Sequence, residues 1–89
     1  MKWSVEYSAQ AIKFAEQHEL HDSIKNELKK LLLKMQGEIV NIDIKRLKGE
    51  WEGYLRLRKG KIRIIFSIDN NNKIIFIDKI DFRGNAYKV

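Results

Sequence analysis

Residues 46–63 read RLKGEWEGYLRLRKGKIR, and the charge and alternation of this stretch decide the fold. Residues 45–63 carry eight Lys or Arg against Glu50 and Glu52, a local charge of +6 that equals the formal net charge of the whole chain. Charge concentrated in this way marks a surface for a polyanion, whereas a generally basic protein spreads it. Successive side chains of a strand point to opposite sides, so Tyr54, Arg56 and Arg58 share one face and Leu55 and Leu57 the other. Lys59-Gly60 breaks the pattern as a tight turn does, with Gly60 supplying a positive φ. Ile62, Ile64, Phe66 and Ile68 then alternate in phase along a second strand.

A two-residue loop at Lys59-Gly60 predicts Arg58 opposite Lys61, Arg56 opposite Arg63 and Tyr54 opposite Ile65. Leu57 with Ile62 and Leu55 with Ile64 then form the core side. Like charges facing each other destabilise a sheet. A bound phosphate offsets that repulsion, and the planar fork of Arg matches phosphate oxygens. The pattern therefore points to a nucleic-acid backbone.

Composition sets the outer limits. With 89 residues the chain forms one domain, residues 1–89, with a single modest core. The absence of Cys removes a disulfide framework and any Cys-based metal site, in keeping with a reducing cytoplasm. No apolar run reaches the roughly 18 residues of a membrane span, and MKWSVEYS lacks a signal-peptide core. A soluble, cytoplasmic chain without membrane contact is the expectation.

In chain order, Trp3, Val5 and Tyr7 alternate as an N-terminal strand. Ser8 is a candidate N-cap for a helix through about His18, with Ala11, Phe14 and Ala15 at helical spacing. Asp22 is a candidate cap for a second helix, Ser23 to about Gln36, with Ile24, Leu28, Leu31, Leu32 and Met35 on one stripe. His18 and His21 lack acidic or Cys partners at metal-ligand spacing, so no metal or cofactor is expected. Between Glu38 and Glu52, Ile39, Val40, Ile42, Ile44 and Leu47 are expected to dock on the domain, while Lys45, Arg46 and Lys48 point outward. Trp51 reads either as a core plug or as a platform for a base. Asp69-Asn70-Asn71-Asn72 is turn chemistry that leads into a last strand from Lys73 to about Ile80. Its register is expected to bring Asp78 beside Arg63 as a counter-ion. The tail adds Arg83 and Tyr87, with Gly84 allowing a bend between them.

Three segments together resemble the RelE/ParE superfamily of toxins from type II toxin–antitoxin systems. They are Lys45-x-Leu47-Lys48-Gly49, then Gly53-Tyr54-Leu55-Arg56-Leu57-Arg58-x-Gly60-x-Ile62-Arg63-Ile64-Ile65-Phe66, and Phe82-Arg83-Gly84-x-x-Tyr87-Lys88. The resemblance, closest to the RelE-like branch, covers essentially the whole chain. It implies an α+β fold of one N-terminal strand, a two-helix hairpin and a three-stranded antiparallel meander. It also implies a ribosome-dependent, metal-independent mRNA endoribonuclease that works by 2′-hydroxyl attack on the scissile phosphate. A cognate antitoxin would neutralise it in a hetero-oligomer, and a ParE-like inhibitor of DNA gyrase is the alternative. Carried over by position, Arg63 would stabilise the transition state and Arg56 would fill the basic position of the preceding strand. Arg83 would serve the leaving group and Tyr87 would position the nucleotide. Arg58 and Lys61 would hold flanking phosphates or ribosomal RNA, with Lys45, Arg46, Lys48 and Lys59 as further RNA- or ribosome-binding residues. Phe82 stands where many relatives have His, and Arg56 stands where they often have Lys. The implied proton acceptor then falls to Tyr87 or Lys61, ahead of Lys48 and Asp81.

Overall fold

Helices α1 (Ala9–Gln17) and α2 (His21–Met35) follow strand β1 (Ser4–Tyr7) and precede strands β2 (Asp43–Arg46), β3 (Leu55–Lys59), β4 (Ile62–Asp69) and β5 (Ile74–Phe82). The structure, a computed structural model, describes residues 2–82. The sheet has five strands in the order β1-β5-β4-β3-β2. β1 runs parallel to β5, and the remaining pairs are antiparallel. The architecture is α+β as expected, but the expected three-stranded meander is corrected to four consecutive strands. The extra strand, β2, is only four residues long; Ile44 and Arg46 share its helix-side face, and of the two only Ile44, opposite Leu57, is apolar. Alternation over so short and polar a segment gives almost no signal. Ile39, expected to dock on the domain, is fully exposed.

Both helices place their apolar stripes on one face of the sheet. Ala11, Ala15, Ile24, Leu28 and Leu31 close over Leu57, Ile62, Ile64, Phe66, Ile75, Ile77 and Ile80. α2 starts at His21 rather than Ser23, with Leu20 as N-cap, so Asp22 lies in its first turn instead of capping it. Met35, predicted on the buried stripe, is exposed on the last turn.

Ser8 caps α1 as predicted, its Oγ accepting from the Ala11 amide at 3.1 Å. The same hydroxyl donates to the Asp78 carbonyl at 2.6 Å, so one side chain starts a helix and holds a strand. Gln10 extends this contact: its amide donates to the Ile80 carbonyl at 2.9 Å and accepts from the Ile80 amide at 3.1 Å. β1 ends at Tyr7, and the Gln10 side chain takes over as the partner of β5 beyond that point. Ser8→Ala is expected to cost about 1–2 kcal/mol. It should appear as a lower urea midpoint with an unchanged m value.

The β4–β5 turn is set by Asp69. Its Oδ1 accepts from the amides of Asn71 and Asn72, both at 3.1 Å, and its Oδ2 accepts from Asn72 Nδ2 at 2.8 Å. The Asn72 side chain, then its backbone amide, hold this exposed carboxyl below the usual Asp range. A lowered carboxyl contributes stability above its unfolded value that is lost as pH falls through the folded one. Acid titration should therefore loosen this turn below about pH 3.8, and Asp69→Asn should remove that component. Lys73, with φ +58°, closes the four-residue loop ahead of Ile74.

Candidate functional site

The β3–β4 hairpin sets the site. Lys59 pairs with Ile62, so the turn is Gly60-Lys61, and the predicted Lys59-Gly60 loop is one residue out. Gly60 has φ +58°, whereas Lys61 does not have a positive φ. This is the type II′ pattern, in which Gly takes the first central position. The pairs shift accordingly: Arg58 faces Arg63, and Arg56 faces Ile65 rather than Arg63. Because the sum of the paired numbers moves by two, Leu55, Arg56, Leu57, Arg58, Ile62, Arg63 and Ile64 keep their predicted faces. Tyr54, predicted opposite Ile65 on the cationic face, lies outside β3, and Lys61, predicted opposite Arg58, falls in the turn.

Arg56, Arg58, Arg63 and Ile65 thus lie on the face of the sheet away from the helices, and Lys45 joins them opposite Arg56. Arg56 is nearly buried at 7 % exposure, and its Nη1 stands 3.4 Å from Asp43 Oδ1. Arg63 makes a two-point pair with Asp81, Nε to Oδ1 at 3.1 Å and Nη2 to Oδ2 at 2.9 Å. The two side chains are only 12 % and 13 % exposed. Lys79 Nζ lies 3.9 Å from the same Asp81 Oδ2. Three arginines from two adjacent strands are gathered on one face, and two acids of the chain meet part of their repulsion.

Asp78 does not neighbour Arg63, which corrects the predicted counter-ion. Phe66 pairs with Ile77 and Ile65 with Lys79, so Asp78 is the extra residue of a β-bulge. Beyond it the parity of β5 reverses, Ile80 turns inward opposite Ile64, and Asp81 arrives opposite Arg63.

The other expected contacts separate. Arg46 pairs with Leu55 and shares the helix side of the sheet. With Lys48 and Tyr54 it lines a cleft of about 580 Å³ that also includes Leu47, Leu55 and Ile68. Lys59 also turns to the helix side, its Nζ 3.6 Å from Glu27 Oε2. Lys61 is exposed at the tip of the hairpin. Trp51 is half-buried and meets the Tyr54 ring edge-on at 5.3 Å, so it belongs to the rim of the β2–β3 connection. Arg83 and Tyr87 lie outside the described residues.

Sequence reading missed Glu27, a carboxylate 2 % exposed on α2. It is held between Lys30 at 3.3 Å and Lys59 at 3.6 Å, which ties the helix to the hairpin. Its place three residues after Ile24 and four before Leu31, inside the apolar stripe, was the available signal. Among the described residues no cluster of His, Asp or Glu is arranged to hold a metal ion. No described helix is long and apolar enough to cross a membrane.

A five-stranded sheet with two helices on one face and arginines on the other defines a small basic α+β protein. No family model matches the chain. It is 35 % identical to the RelE1 protein of Methanocaldococcus jannaschii, which is named as a toxin, over 99 % of this chain and 98 % of that one. The chain belongs to the RelE family of toxins from toxin–antitoxin systems. Its fold is similar to that of the archaeal RelE–RelB complex from Pyrococcus horikoshii, with a TM-score of 0.66 and 22 % identity over 96 % of this chain and 99 % of that one. It is also similar to the heterotetrameric YoeB–YefM toxin–antitoxin complex of Staphylococcus aureus, with a TM-score of 0.64 and 20 % identity over 93 % and 99 % of the two chains.

Proposed function

We propose that this RelE-family toxin is a metal-independent endoribonuclease that cuts messenger RNA on the ribosome and so arrests translation. The observation that carries the reading is Arg58 directly opposite Arg63 across β3 and β4, with Arg56 beside them on the same face. Two arginines facing each other at one ladder position suit the paired oxygens of an RNA backbone. In the reaction the 2′-oxygen bonds to the adjacent phosphorus, its proton passes to an acceptor, and the bond to the 5′-oxygen breaks as that oxygen takes up a proton. The products are a cyclic phosphate, or the 3′-phosphate after its hydrolysis, and a 5′-hydroxyl. Such chemistry is served by holding the nucleotide in line and neutralising charge on a phosphorane-like transition state.

Arg63 takes the charge-neutralising role and Arg58 the neighbouring phosphate, while Arg56 is braced by Asp43. Lys45 extends the cationic face at β2. Lys61 stands at the turn two residues before Arg63, where a proton acceptor or a phosphate contact is within the reach of a flexible side chain. Arg83 and Tyr87 keep the leaving-group and nucleotide-positioning roles that the family pattern gives them. A cognate antitoxin, encoded by a neighbouring gene, would hold the toxin inactive in a hetero-oligomer. An acidic or amphipathic segment suits the cationic surface.

Primer extension on message from a translating lysate tests this reading. Cuts inside codons, appearing on addition of the toxin and absent when the antitoxin is added with it, are the expected result. Intact message at a dose that stops translation would overturn it. Loss of gyrase supercoiling at that dose would put a ParE-like activity in its place.

A further inference from the structure

We propose that Asp81 is a positioning residue for Arg63, holding its guanidinium in the orientation that meets the scissile phosphate; this rests on the ribonuclease reading above. A guanidinium has two edges that can take a carboxylate or phosphate in two-point fashion, the lateral Nε–Nη2 edge and the terminal Nη1–Nη2 edge. Asp81 grips the lateral edge, at 3.1 and 2.9 Å. That grip fixes the plane and rotation of the group about its long stem. It leaves Asp81 on the Nε–Nη2 edge and not on the terminal edge, on a face of the sheet that Arg58 shares directly opposite Arg63. An Arg left to find its own rotamer loses freedom when phosphate binds, and a group already aligned does not.

The backbone is built for this contact. The bulge at Asp78 reverses the parity of β5, and without it Ile80 would face Arg63. The Ser8 hydroxyl holds the Asp78 carbonyl, and the Gln10 side chain holds both backbone groups of Ile80. The residue that carries the counter-ion is thus pinned from α1 on its N-terminal side. Near-burial of both partners, at 12 % and 13 % exposure, keeps the pair from being a loose surface bridge.

Asp81 also places a negative charge where RNA must come, and this makes the two consequences of removing it run in opposite directions. In Asp81→Asn the site is one charge more positive, so RNA binds as tightly or tighter. The guanidinium loses its alignment, so cleavage slows. A residue that served only stability would not move binding and turnover apart.

The test uses ribosomes programmed with a single-codon message and measures single-turnover cleavage across toxin concentrations, with the melting temperature of each variant alongside. Asp81→Asn is expected to cut at least about tenfold more slowly at saturation, with a half-saturating concentration equal to or below that of the natural chain. Asp81→Glu should recover part of the rate. In an Arg63→Ala background, Asp81→Asn should change the rate no further. Cleavage by Asp81→Asn at the natural rate or faster would overturn the proposal, as would an undiminished further drop in the Arg63→Ala background. A rate lost in parallel with melting in both Asp81→Asn and Asp81→Glu would also overturn it. If the natural chain itself makes no cuts, the ribonuclease reading fails, which is a separate result.

Discussion

Arg63→Ala is expected to lower the rate of message cleavage by roughly 10²–10³-fold, which corresponds to losing about 2.7–4 kcal/mol of transition-state stabilisation. The size follows from its situation. Arg63 is nearly buried, its neighbour across the ladder is another arginine, and Asp81 fixes its orientation. A charge held still in a largely water-excluded site acts on a developing anion far more strongly than a solvated one. The substitution also leaves Asp81 without this two-point partner, with Lys79 as a weaker replacement at 3.9 Å. A buried carboxylate deprived of its cation is destabilising, so the variant's melting temperature must be measured with its activity. Arg63→Lys keeps the charge but lacks the planar fork, and it should recover the fold more fully than the rate. Single-turnover cleavage on programmed ribosomes, natural chain against both variants, checks all of this.

Phe66→Ala is expected to cost about 3–5 kcal/mol of stability, a large share of the roughly 5–15 kcal/mol that holds a small domain together. Phe66 has no exposed surface and is the largest fully buried side chain among the described residues. It lies on β4 between Leu55 on β3 and Ile77 on β5, and it sits next to the bulge in β5. Neighbours on a sheet cannot collapse into the space left by a phenyl ring without breaking the ladder, so the cavity persists. Urea denaturation should show a much lower midpoint. Because the cavity adjoins the irregular register at Ile65 and Phe66, cleavage should suffer even in the fraction that remains folded. Phe66→Leu, which keeps most of the volume, should restore both.

The faces of β3 and β4 were legible in the sequence because the alternation of Leu with Arg on β3, and the phase shared by Ile62, Ile64, Phe66 and Ile68 on β4, survive any shift of register by two. The register itself was not. Gly60 can open a two-residue turn or close one, with a positive φ in either place, and it is the pairing of Lys59 with Ile62 that makes the turn Gly60-Lys61. The counter-ion of Arg63 was hidden for a related reason. Asp78 and Asp81 differ by an odd number of residues, so they exchange faces across one bulge, and nothing in IIFIDKIDF announces that bulge. What fixes it comes from the far end of the chain, in the Ser8 and Gln10 side chains. β2 escaped notice because a single inward apolar residue, Ile44, carries no period. Arg46, Lys48 and Lys59 were expected to bind RNA or the ribosome along with Arg58. One-residue steps along an edge strand and a turn put Arg46 and Lys59 on the helix side instead, and Lys48 lines the same cleft as Arg46.

Binding of a short single-stranded RNA as a function of salt, for the natural chain and for Arg58→Ala, Arg63→Ala and Arg46→Ala, tests most directly whether the helix-distal arginines meet the RNA backbone. Each phosphate contact on a single strand contributes about 0.7 to the slope of log affinity against log salt. The slope should fall by about that amount in Arg58→Ala and in Arg63→Ala and stay unchanged in Arg46→Ala, whose side chain lies on the opposite face. Equal slopes in all four proteins, or a loss confined to Arg46→Ala, would contradict the account.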